Sequence, residues 1–136
     1  GDALEDMMTL IESSFTTTFE ITYTQSTETT SNHIEGPTAG LQYATYDGMP
    51  TPAKVSIGHE TMRNSRLTEL AEHFAHENGH AVAYVTGCRE EDSERQGIAA
   101  ENYVRLYHGK GLRLSHGKYS EPFTATQVTP RKIPHK

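Results

Sequence analysis

Five consecutive residues, His76-Glu77-Asn78-Gly79-His80, have the types and spacing of a hydrolytic metal site. On an α-helix, residues four apart sit about 40° apart around the axis, so both imidazoles can face one cation. Glu77 follows the first histidine and can reach a water beside that cation rather than the cation itself. Zinc catalysis needs three protein ligands and a fourth position open to water. His76 and His80 supply two of the three. Glu77 is the expected general base, taking a proton from the attacking water and passing it to the leaving amine. Gly79 and Ala81 are small enough to let another element approach this helix closely. A helix-interior Gly costs roughly 1 kcal/mol relative to Ala, so Gly79 implies a packing or functional demand.

The third ligand is expected from the next helix, folded back antiparallel. Asp92, Glu94 and Glu101 are the acidic residues available there. Glu94 and Glu101 are seven apart and share one helix face. Glu94 is preferred because it lies nearer the connection, and Glu101 is the alternative. Glu101 has two other readings: an ion pair with Arg105 one turn on, or a hydrogen bond that orients one of the histidines. His73 as a ligand would strain a tri-histidine helix, so it is expected to be exposed or to play a supporting part. An oxyanion needs a donor, for which Tyr119 and His116 are the candidates. Tyr84, Tyr103 and Tyr107 read as packing residues. Cys88 is the one cysteine and has no companion at ligand spacing.

These side chains need elements to hold them. Leu67, Leu70, Phe74, Ala81 and Tyr84 or Val85 recur at helical spacing, predicting a helix from about Ser65 to Thr86 with Gly87 as its stop. Ser93 followed by Gln96 fits a capping box, so the second helix is expected over about 94–108, anchored by Ile98, Val104 and Leu106 and ended by Gly109. An amphipathic helix over 2–14 should present Leu4, Met7, Met8 and Ile11 on one face, with acidic residues at its start. Phe19, Ile21 and Tyr23 alternate with polar residues, as in a half-buried strand. Leu41–Tyr46 and Lys54–Gly58 are the second and third expected strands. Residues 110–136 show no period.

Bulk composition narrows the function. The chain has 136 residues, 34% of them apolar, no Trp and a net charge of −6. That length supports one domain over 1–136 with a modest core and no need of disulfides. Lys and Arg do not cluster before the short C-terminal tail, which argues against nucleic-acid binding through phosphates. No apolar run is long enough to span a membrane. Residues 1–20 show neither the basic nor the apolar region of a signal peptide, as would also hold for a domain cut from a longer chain.

Two blocks, HENGHAVAYVTG and SERQGIAAENYVRLYHGKGLRLSHGKY, resemble the metallopeptidase-type toxin domains at the C-termini of bacterial Rhs-repeat and other polymorphic toxins. They are similar to effector peptidases of the NleD type. Members of that family read HELGHA, then a connection ending in Gly, then E-x-x-A-x-x-x-E-N-x-x-R, then a G-L-x-L-R-like segment and a Tyr. His76, Glu77, Gly79, His80, Ala81 and Gly87 match the first part. Glu94, Glu101, Asn102 and Arg105 match the second, and Leu112, Arg113 and Tyr119 the last. The match runs from about 54 to 119. Asn78 stands where the family has an apolar residue, and Gly97 where it has Ala. The resemblance implies that Glu94 is the third metal ligand. It also implies an effector delivered into another cell, often by type VI secretion, and blocked by a cognate immunity protein.

The resulting expectation is an α+β, zincin-like domain, with a small sheet beside the two ligand-bearing helices and a catalytic core over about 54–119. Its expected function is that of a zinc-dependent endopeptidase cleaving a protein of a target cell. Two rivals remain: a zinc hydrolase of another bond, such as a peptidoglycan cross-link or an amide, and an inactive zinc-containing binding module.

Overall fold

The computed structural model describes residues 3–22, 29–31, 50, 52–87, 90–115 and 121–130. β-Branched and aromatic residues form the two longer strands, β1 Thr17–Thr22 and β3 Ala53–Gly58, with a short β2 at Thr29–Ser31. The sheet order is β1-β3-β2. β1 runs parallel to β3, with Phe19 opposite Val55 and Ile21 opposite Ile57. β2 pairs antiparallel with the other edge of β3. The central strand is the most apolar because it is paired on both sides, and Val55 and Ile57 are buried. Edge strand β1 forms where the alternation placed it, but Phe19 and Ile21 do not make a buried face: each is 45% exposed, and Glu20 between them is the half-buried residue. The strand expected over Leu41–Tyr46 lies outside the described residues, as does Tyr23.

Helix α1 spans Ala3–Glu12, with Glu5 and Asp6 in its first turn where the helix dipole favours them. Its buried face differs from the expected one. Leu10 is buried, while Ile11 is 69% exposed and Met8 also faces outward. The apolar residues here cover too wide an arc for spacing alone to select the packed side. A six-residue helix, α2 His59–Asn64, follows β3 directly and was not foreseen. It is too short to display a helical period, and its Met62 packs against the core.

Helix α3, Leu67–Thr86, closes at Gly87 in the left-handed conformation (φ 79°), with the Gly87 N–H donating to the carbonyls of Ala83 and Tyr84. The Glu69 carboxylate accepts from the Arg66 N–H at its start, 3.4 Å away. Ala81, Tyr84 and Val85 join Leu10, Val55 and Ile57 in one core cluster, which seats α3 and α1 on the sheet. Leu67, expected in the apolar stripe, is exposed, because the buried run begins only at Glu72.

Helix α4 covers Glu90–Tyr107. It starts earlier than expected, so Ser93 lies inside the helix and is not its cap. It ends as the sequence indicates, at Gly109 (φ 75°). The Gly109 N–H donates to Leu106 O and the Lys110 N–H to Arg105 O, which together form a Schellman motif. One-turn helix α5, Ala125–Val128, is capped by Thr124 and Gln127 and buries Val128. Asn102 ties the segments after α4 together, its amide donating to Arg113 O (2.9 Å) and Val128 O (3.0 Å). The mixture of helices with a small sheet is an α+β fold. Among the described residues no helix is long and apolar enough to cross a membrane.

The contact of α3 with α4 is what the site depends on. A Cβ at Gly79 would lie 2.7 Å from Gln96 O and 2.8 Å from Gly97 Cα, both backbone atoms that cannot swing aside. The two helices touch through glycine, as the small residues around His80 suggested. Gly79→Ala is expected to destabilise the fold by about 1–3 kcal/mol, because overpacking outweighs the gain in helix propensity. Urea unfolding would register this as a lower midpoint. An unchanged midpoint would mean that the helices separate without cost.

Candidate metal centre

His76 and His80 project from one face of α3 toward α4. Their Nε2 atoms lie 3.1 Å apart, and both residues are buried. From α4, Glu94 brings Oε1 to 3.7 Å from His80 Nε2. One donor atom from each of His76, His80 and Glu94 falls within 4.8 Å of the others, so this group could hold a metal ion.

The outer ring nitrogens are held as ligand histidines need. His76 Nδ1 lies 2.8 Å from Glu101 Oε1. An ionised carboxylate only accepts, so this contact takes a proton on His76 Nδ1, and the neutral ring then has its lone pair on Nε2. His80 Nδ1 lies 2.7 Å from the Ser93 hydroxyl. Across the site, Glu94 Oε2 is buried without a hydrogen-bond partner. An anionic oxygen shut away from water and left unpaired is costly unless a cation answers it. Two imidazole nitrogens and a carboxylate oxygen around a common point are a fitting donor set for a divalent metal.

Glu101 is itself anchored. Arg113 Nη1 donates to Glu101 Oε1 at 2.7 Å, and Arg105 Nη1 stands 4.0 Å from Oε2. Burial alone would raise its pKa. The His76 hydrogen bond and the Arg113 charge outweigh burial and hold the carboxyl below its ordinary value. Asn102 fixes Arg113 in turn, its Oδ1 accepting from the Arg113 N–H at 2.7 Å. Glu101 therefore meets His76 on Nδ1, the nitrogen away from the shared point.

Other residues singled out by the sequence fall as follows. Glu77 is buried, 7% exposed, beside His76 in the chain. Asp92 is apart from the group, exposed and 3.8 Å from Arg95. His73 is exposed. Tyr84 is in the core, Tyr103 is half-buried and Tyr107 is 51% exposed. Tyr119, His116 and Cys88 lie outside the described residues.

Sequence reasoning missed Ser93 as a histidine partner, because its spacing to Gln96 imitates a cap. It also missed Glu72. Glu72 sits one helical turn before His76, a spacing that places it on the same side of α3. Its buried carboxylate accepts from Lys110 Nζ at 2.8 and 3.0 Å, meets His108 Nδ1 at 3.0 Å and has Arg105 Nη1 at 3.7 Å. This cluster clips the turn after α4 onto α3.

Burial would raise the Glu72 pKa, but the hydrogen bonds from Lys110 and His108 and the charges of Lys110 and Arg105 win and lower it below 4.5. A depressed carboxyl contributes stability above its unfolded pKa and loses it as pH falls through the folded value. The contribution is therefore constant near neutrality, begins to fall as the pH drops past the ordinary carboxyl value, and is gone only below the depressed folded-state value. Glu72→Gln is expected to cost about 1–3 kcal/mol at pH 7. The lower part of that range applies, because Lys110 keeps 39% of its side chain in water. The difference from the parent chain should shrink toward pH 3 in urea titrations. A constant difference from pH 7 to 3 would refute the assignment.

No protein-family model, curated protein or solved structure matches this chain.

Proposed function

We propose that the chain is a zinc-dependent peptidase with a zincin-like arrangement, in which His76, His80 and Glu94 hold the metal. The observation that carries this reading is the convergence of both Nε2 atoms and the Glu94 carboxylate, with each Nδ1 atom on its own partner. Zinc suits a site of two imidazoles and one carboxylate, and when bound it supplies Lewis acidity for a carbonyl and an acidified water. Glu77 takes the proton of the attacking water and returns it to the leaving amine. Glu101 and Ser93 keep the histidines aimed, and the Gly79 contact keeps the two helices at working distance. Tyr119 and His116, farther along the chain, are proposed to donate to the developing oxyanion.

The substrate class is protein. The resemblance of the HENGH and ENYVR blocks to effector peptidases supports a toxin domain delivered into a target cell and restrained by an immunity protein. The test is zinc content by elemental analysis, beside cleavage of an unstructured protein followed through its new amino termini. About one zinc per chain is expected, with cleavage lost on chelation and regained on adding zinc. Metal uptake with no cleavage of any protein would favour a zinc-containing binding module. No uptake at all would end the reading.

A further inference from the structure

The two ligand histidines have unlike supports. His76 rests on a carboxylate that is itself pinned by Arg113. His80 rests on a neutral hydroxyl, that of Ser93, which is 1% exposed. One turn beyond Ser93, Gly97 presses on the other side of the same ring. A Cβ there would lie 3.0 Å from both Cδ2 and Nε2 of His80, and 3.2 Å from His76 O. Ser93, Glu94 and Gly97 are successive members of one face of α4. Together they supply a hydrogen-bond partner for His80 Nδ1, a carboxylate near His80 Nε2, and the space the ring occupies.

We infer that Ser93 and Gly97 are positioning residues for His80: Ser93 holds the Nδ1–H tautomer, and Gly97 keeps the ring's metal-facing edge clear. This rests on the reading of His80 as a ligand and extends it to two residues that touch neither metal nor substrate. A serine hydroxyl can donate or accept, so unlike Glu101 it does not dictate the tautomer alone. Accepting from Nδ1–H leaves the Nε2 lone pair directed at the same point as that of His76. Ring contact from α4 then limits tilt. Alanine at Gly97 would favour the helix by propensity yet force the His80 ring to move by a few tenths of an ångström. The same Cβ would meet His76 O at 3.2 Å, so the propensity gain and the backbone contact oppose each other in stability, while the displaced ring carries a ligand atom and zinc affinity should fall even where the chain stays folded.

The experiment compares the parent chain with Ser93→Ala and Gly97→Ala. Zinc affinity is read by competition with a chelating dye, and thermal midpoints are read in chelator. Both variants should bind zinc about 10–100-fold more weakly, the range for losing a partner behind a metal ligand. The Gly97→Ala chain should still be folded in chelator at the temperature of the zinc titration. Parent-like zinc affinity in both variants overturns the inference. So does a loss of affinity in Gly97→Ala that appears only where the chain has begun to unfold. Should Ser93→Ala fail to fold, long-range ¹H–¹⁵N spectra of the parent in chelator decide its part: His80 already protonated on Nδ1 before zinc is added supports it, and protonation on Nε2 refutes it. A parent chain that takes up no zinc fails earlier, at the proposed function.

Discussion

Glu77→Gln should retain zinc and lose hydrolysis. The amide matches the carboxylate in shape, so a position only 7% exposed should accept it without a cavity. Glu77 is absent from the group that brings its donor atoms together, His76, His80 and Glu94, so metal content should stay at the parent level. What disappears is the proposed acceptor of a proton from the attacking water. Positioned general bases contribute about 10²–10⁴-fold, and kcat on a protein substrate should fall by that factor. The same substitution should abolish toxicity if the chain acts as a delivered effector. Undiminished proteolysis with zinc in place would remove Glu77 from the mechanism.

Glu94→Ala and Glu101→Ala should separate two carboxylates that the sequence leaves as rivals. Both stand on α4 and both meet a histidine, but at different nitrogens. Glu94 approaches His80 Nε2 at 3.7 Å, while Glu101 sits on His76 Nδ1 at 2.8 Å. Glu94→Ala should therefore yield a folded chain without stoichiometric zinc, since it removes one of three donors and relieves an unpartnered buried oxygen. Glu101→Ala should still take up zinc, about 10–100-fold more weakly. It should also lose stability, because Arg113 forfeits its 2.7 Å partner. Elemental analysis and chelator competition on the two variants give the answer. Zinc lost only from Glu101→Ala would transfer the third ligand to that residue.

The local features of this chain were legible because they depend on neighbours in sequence. Four-residue spacing puts His76 and His80 on one side of any helix they occupy. Gly87 and Gly109 stop their helices because a left-handed residue satisfies the last carbonyls. Val55 and Ile57 at alternate positions mark Ala53–Gly58 as a strand, and its place at the centre of the sheet explains why it is more apolar than β1. Residues of α1 were legible as a helix, but not as to which side would be packed.

Tertiary structure decided how the elements face one another. Helical periodicity gives directions around one axis and says nothing about the rotation of a second helix against it. The backbone contact at Gly79 and Gly97 sets that rotation. It brings Glu94 to His80, puts Glu101 behind His76, and turns Ser93 from an apparent cap into a histidine partner. Glu72 gains its cations only because the turn after α4 folds back onto α3, joining residues 36 and 38 apart in the chain. The sequence alone determined that two imidazoles would share a helix face. Which acids complete and support them depended on a close approach between helices, made where both lack a side chain.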